Sequence, residues 1–148
     1  MLLITLVIWI AYSIIEGLRE GYYWYYKNRG EDGNNGDIHP IFSLQRGLVL
    51  AIIWLLAFVS FSALTGLLIA IAALKSTAFI LSLMLIFSFI HNGVYYTTRN
   101  ILNKNIYNLK WKDHSTTSTA KWTKFLTFRN RTIMFAIGML GVLLLVIL

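Results

Sequence analysis

The chain has 148 residues, of which 57% are hydrophobic, 15% aromatic and only 13% charged, and its formal net charge is +7. One proline and no cysteine exclude a disulfide scaffold and a thiolate metal site, and the hydrophobic share excludes a disordered chain. A mean hydropathy of +0.66 argues against an ordinary soluble domain, because so little polar surface cannot cover so much apolar bulk.

The pattern predicts a single all-α integral membrane domain over 1–148, with four transmembrane helices in an up-down bundle and a cytoplasmic amphipathic segment. The first apolar run, Leu2 to Ile15, has 14 residues. That is short of the roughly 20 that a bilayer core requires. A span at about 1–20 therefore carries Glu16, with Arg19 and Glu20, at its far interface. A signal peptide is the competing reading, and it is disfavoured because no Lys or Arg precedes the run and no small-residue cleavage site follows it. The second run, Gly47 to Leu74, has 28 uncharged residues and is expected to break at Lys75 and Ser76. A third span is expected at about 77–97, and a fourth at about 132–148.

Four spans put both termini on one side and the long connections, about 21–46 and 98–131, on the other. Of 13 Lys and Arg residues, only Lys75 falls in the connection between spans two and three; the other 12 flank or occupy the long connections. The positive-inside rule then predicts cytoplasmic connections and outside termini, in a bacterial-type inner membrane or a virus-derived one. Tyr22, Tyr23, Trp24, Tyr25 and Tyr26 read as an interfacial aromatic belt.

The two connections differ in charge. Glu16 to Arg46 holds four basic and five acidic residues, whereas Arg99 to Arg131 holds eight basic residues against Asp113 alone. Leu102, Ile106 and Leu109 fall at i, i+4, i+7, which extends span three as a helix into the cytoplasm. Trp122, Phe125, Leu126 and Arg129 fall at i, i+3, i+4, i+7, the spacing of a short helix lying on the membrane surface. Lys110, Lys112, Lys121, Trp122, Lys124, Arg129 and Arg131 form the expected surface for anionic inner-leaflet lipid or a protein partner. Aromatics interleaved with cations also suit nucleic acid, but helical spacing beside a span favours lipid.

One polar cluster stands out. Glu16, Arg19, Glu20 and Tyr23 share a helical face on span one, and His91, Tyr95 and Arg99 share one on span three with Asn92 beside it. His39, Gln45 and Arg46 precede span two. The predicted topology puts all three groups at one membrane depth. Intramembrane ionisable residues are costly and face the bundle interior or water. Glu16, Glu20 and His91 are thus candidate acid/base groups, and Arg19, Arg46, Asn92, Tyr95 and Arg99 candidate ligand-binding groups. Glu16, Glu20, His39 and His91 are the candidate metal ligands, although no H-E-x-x-H or histidine-rich box accompanies them. The bland alternative is an ion-pair network that fixes helix register.

Ser62, Gly66 and Ala70 repeat at four-residue spacing and predict close helix packing or a homo-oligomer contact. Gly138 and Gly141 form a weaker pair of the same kind. No nucleotide-binding glycine pattern, nucleophile elbow or kinase motif occurs. The leading expectation is a structural or accessory membrane subunit whose basic cytoplasmic face binds anionic lipid or a partner, with the cluster locking the helices. A second reading is a membrane-embedded, metal-assisted enzyme acting on a lipid-like substrate. A third is a small transporter. No cofactor is specified by any motif.

Overall fold

A computed structural model describes residues 2–27, 39–65, 69–102 and 125–147. They form four helices: α1, Leu2–Lys27; α2, His39–Thr65; α3, Ile69–Leu102; and α4, Phe128–Ile147. All four are long and apolar enough to cross a membrane. The described residues are thus an all-helical, polytopic assembly. Large apolar side chains cover its outside: Ile4 is 66% exposed, Ile52 59% and Leu140 55%. Water would penalise such a surface, and hydrocarbon does not.

The long helix α3 is the hub. It packs most extensively against α1 and α4 and less so against α2, while α1 and α2 meet only narrowly. Trp9 meets Leu83, Gly17 meets His91, and Gly21 meets Thr98, so α1 and α3 run in the same direction. Trp54 meets Thr77 and Lys75 lies over Phe61, so α2 runs opposite to α3. Arg131 meets Ser88 and Gly138 meets Ser82, so α4 also opposes α3.

Small residues set how closely the backbones approach. A Cβ on Gly17 would lie 2.8 Å from the His91 carbonyl oxygen and 3.0 Å from Val94 Cβ, and one on Gly21 would lie 2.9 Å from Thr98 Cβ. Ser13, Gly17 and Gly21 therefore form the small-residue row of the α1–α3 contact. On α4, a Cβ at Gly138 would sit 2.6 Å from the Ser82 carbonyl oxygen, and Gly141 packs on the Ser82 hydroxyl. The buried core runs along these seams through Trp9, Phe79, Leu83, Ile86 and Val142.

Four sequence expectations are corrected here. The expected break at Lys75 and Ser76 is not found: both residues lie inside α3, which begins at Ile69, and α2 ends at Thr65. Lys75 instead sits inside α3 with its ammonium 5.9 Å from the Phe61 ring centroid. The sequence stays uncharged from Gly47 to Leu74, so hydropathy alone does not divide this run. Consequently Ser62 is on α2 and Ala70 on α3, and their spacing does not put them on one helical face. Helix α1 runs to Lys27 and includes the aromatic belt. Finally, α4 starts at Phe128 rather than Thr132, and Leu126 and Thr127 are not helical. Thr127 caps α4: its hydroxyl accepts from the Asn130 N–H at 3.2 Å and its carbonyl from the Arg131 N–H at 2.9 Å. That cap interrupts the face drawn through Phe125, Leu126 and Arg129. Residues 103–124, with Ile106, Leu109, Lys110, Lys112, Lys121, Trp122 and Lys124, lie outside the described residues.

The packing predicts opposite signs for two glycine substitutions. Gly138→Ala is expected to destabilise by about 1–3 kcal/mol, since backbone must move to admit the methyl group. Gly47→Ala, whose Cβ meets nothing within 4 Å, is expected to gain up to about 1 kcal/mol through helix propensity. Thermal unfolding of both proteins in detergent checks the pair.

Candidate functional site

The polar cluster forms where the late turns of α1, the first turns of α2 and the late turns of α3 converge. Glu16 and Glu20 project from α1 into this junction and are only 2% and 6% exposed. Arg19, one turn on from Glu16, donates through Nη2 to Glu16 Oε1 at 2.7 Å and through Nη1 to Gln45 Oε1 of α2 at 2.7 Å. Arg46 enters from α2. Its Nε lies 3.4 Å from Glu16 Oε1, and its Nη2 donates to Glu20 Oε1. One guanidinium thus bridges two carboxylates that sit a helical turn apart, a task suited to its planar fork of donors.

His91 completes the junction from α3. Its Nε2 is 3.2 Å from Glu20 Oε2 and 3.4 Å from Arg46 Nη2. Toward the carboxylate this nitrogen must donate, and toward the guanidinium it must accept. The carboxylate contact is the shorter and is charge-assisted, so geometry favours an Nε2–H directed at Glu20. Glu20 then receives hydrogen bonds from two other helices at once.

An aromatic stack lies beneath these charges. Trp9 stacks on Tyr12 at 5.3 Å, Phe87 lies 5.5 Å from Trp9 and 6.4 Å from Tyr12, and His91 stacks on Phe87 at 4.8 Å. The Arg46 guanidinium is 5.2 Å from the Phe87 ring centroid, within cation–π range. Trp9 also donates through Nε1 to the Leu83 carbonyl at 2.7 Å, tying α1 to α3 one turn below the stack. Further along α3, His91 stacks on Tyr95 at 6.3 Å, and Arg99 donates to the Tyr95 hydroxyl.

The structure therefore brings together Glu16, Arg19, Glu20, Arg46 and His91. Tyr95 and Arg99 continue the same α3 face beyond the junction. Asn92 is partly buried, and its Nδ2 has no hydrogen-bond partner among the described residues, as is true of the Tyr12 hydroxyl. His39 opens α2, and its side chain lies outside those described. Among the described residues no group of three or more His, Asp or Glu side chains is gathered in a way that could hold a metal. Both described carboxylates are instead occupied by cationic or imidazole nitrogens. Trp9, Tyr12 and Phe87 are contributors that sequence reasoning passes over. Their signal is spacing alone: Trp9, Tyr12 and Glu16 follow one stripe of α1, and Phe87, His91 and Tyr95 one stripe of α3.

A second polar tie stands apart. Arg131 in the first turns of α4 is 7% exposed. It donates through Nε to the Leu126 carbonyl at 2.9 Å and through Nη1 to the Ser88 carbonyl at 3.0 Å and to the Ser88 hydroxyl. It anchors the start of α4 to α3 at a level one turn from His91. Arg129 stays exposed. No family model, no curated protein and no solved structure matches this chain.

The bridging role of Arg46 predicts strong non-additivity. Arg46→Leu leaves two buried carboxylates short of their shared cation and is expected to destabilise by about 3 kcal/mol or more. Adding Glu16→Gln and Glu20→Gln to that variant removes the stranded charge and is expected to recover most of the loss. Thermal unfolding in detergent of the single and triple variants measures both.

Proposed function

We propose that this protein is a structural or accessory membrane subunit whose charged junction locks the helices while its basic connections hold anionic lipid or a partner. The observation that carries the reading is the state of Glu16 and Glu20. Each is buried, and each is engaged from more than one side by Arg19, Arg46 or His91. A carboxylate serving as general acid, proton carrier or metal ligand needs an open side for its substrate or ion. Glu20 has both oxygens engaged from other helices, and Glu16 Oε1 is held by Arg19 of its own helix and faced by Arg46 of α2. The arrangement supports an architectural role over the membrane-embedded enzyme and over the transporter.

In this reading the four helices cross the membrane up-down-up-down. The junction of α1, α2 and α3 lies near the cytoplasmic boundary, with Arg131 at a similar depth. The connections after α1 and α3 are cytoplasmic, and the termini and the α2–α3 turn are outside. The supporting observation is the distribution of 12 basic residues against one. The membrane is a bacterial-type inner membrane or one derived from it by a virus. The stretch from Arg99 to Arg131, with eight basic residues and one acid, supplies the lipid-binding face. Each cation near an anionic surface contributes about 1 kcal/mol.

Two experiments test this. The chain has no cysteine, so single-cysteine variants are free of background. Lys110→Cys and Ile69→Cys, the latter at the exposed start of α3, are expected to react with a membrane-impermeant maleimide from opposite faces of oriented vesicles; labelling from the same face sinks the topology. Neutralising Lys110, Lys112, Lys121 and Lys124 together is expected to abolish enrichment of anionic over zwitterionic lipid in the protein's nanodisc shell. Unchanged enrichment, with no partner lost from native-membrane pull-downs, rejects the basic-face role.

A further inference from the structure

Beside the charged junction, a slot of about 310 Å³ opens between α2 and α3. Trp9, Leu50, Met84 and Phe87 give it an apolar lining, and Ser43 and Arg46 are the polar residues that border it. Its size lies at the low end of small-ligand pockets, which begin near 300 Å³. It runs along α2 from Ser43 to Leu50, a rise of about 10 Å. The mouth is on the outer surface: Met84 is 48% exposed, and Ser43 and Gly47 are exposed. Gly47 borders the slot, and a Cβ there would meet nothing within 4 Å.

Arg46 gives the slot its chemistry. Its Nη2 is engaged by Glu20 and its Nε faces Glu16. Nε is buried without a hydrogen-bond partner, the hydrogen bonds to described residues are all made by Nη2, and the side chain is 25% exposed. The charge of Arg46 is balanced by the two carboxylates, so what remains on offer is a hydrogen-bond donor rather than net attraction for an anion. The complement is an apolar chain about as long as the slot, ending in an uncharged oxygen acceptor.

We propose that this slot binds one acyl chain of a diacyl glycerolipid, with a lipid ester oxygen accepting from Arg46. The inference rests on the membrane reading and is independent of the basic connections. An ester-linked tail meets each demand of the site: an apolar stem against Trp9, Phe87 and Leu50, a carbonyl at the guanidinium, and delivery from the side through the bilayer. Water gains no partners along the apolar walls, and a free phosphate leaves them bare.

Native mass spectrometry of the detergent-purified full chain tests the assignment. The wild-type protein is expected to retain one glycerolipid, whether phosphatidylethanolamine or phosphatidylglycerol is supplied. Gly47→Phe fills the slot and is expected to lower that retention about tenfold or more. Leu48→Phe, on the neighbouring exposed face, and the four-lysine variant are expected to keep it. Equal retention in Gly47→Phe overturns the proposal, as does a wild-type chain that is folded and lipid-free. Should Gly47→Phe fail to fold, a glycerolipid with a diazirine on its acyl chain decides on the wild-type protein. Labels concentrated at Leu50 and Met84 support the slot. Labels spread evenly over exposed helix faces, or slot crosslinks to a second copy, overturn it. Failure of the membrane reading itself looks different: the chain would then leave the membrane fraction without detergent.

Discussion

Two ionised carboxylates cannot remain among apolar helices unless cations reach them, and this constraint organises the molecule. Glu16 and Glu20 sit a turn apart on α1, and α1 alone supplies only Arg19 nearby. The remaining positive charge must come from elsewhere in the chain. Arg46 delivers it from α2 and His91 adds a donor from α3. Each partner is separated from Glu20 by a full connection or span, so satisfying the acids defines how three helices assemble. A buried ion pair of this kind contributes little net stability, because desolvation offsets its attraction. Its effect is discrimination: any sliding of one helix by a turn strands a charge.

The glycine seams supply what the charges cannot. Hydrocarbon gives helices no hydrophobic reason to associate, so close backbone contact must do so. Gly17 and Gly21 let α1 approach α3 at the level of His91 and Thr98, the level at which Glu16 and Glu20 must meet their partners. Gly138 and Gly141 seat α4 on Ser82 in the same way. Ser82 fits there because its hydroxyl turns back to the Ala78 carbonyl at 2.9 Å, leaving no unsatisfied donor in the seam. Packing brings α1 and α3 together, and charge selects among the registers that packing allows.

The helical spans and the membership of the polar cluster were legible because both rest on strong local signals. Apolar run length announces a span, and an acid inside such a run announces a partner. The boundaries were less legible, for reasons that particular residues explain. From Gly47 to Leu74 no charged residue marks where one helix stops and the next begins. Ser62, Gly66 and Ala70 satisfy the same spacing rule as Ser13, Gly17 and Gly21, yet only the second set lies on one helix. Spacing has meaning only within an unbroken helix. Thr127 shows the converse: a capping residue between Leu126 and Arg129 cancels a helical face that periodicity alone would accept. Trp9, Tyr12 and Phe87 were hidden for a different reason. An aromatic in an apolar span looks the same whether it faces lipid or supports a guanidinium.

The distribution of polarity along the bundle bears on mechanism. Toward the end of α1 where the acids lie, each helix brings hydrogen-bonding side chains to the junction or its neighbourhood: Glu16, Arg46, His91 and Arg131. Toward the other end the buried core is built of Leu2, Leu6, Ile53, Ala57, Phe61 and Phe79, and its buried hydroxyls at Ser60 and Ser76 bond to carbonyls of their own helices. A conduction path needs polar partners along its full length, since an ion or proton leaving the junction must keep its solvation. The space beside Arg46 opens sideways, between α2 and α3, rather than along the bundle. In the proposed membrane placement this asymmetry grades the protein's contact with lipid by depth: charge and donors at the boundary, a short apolar recess beside them, and aliphatic surface beyond.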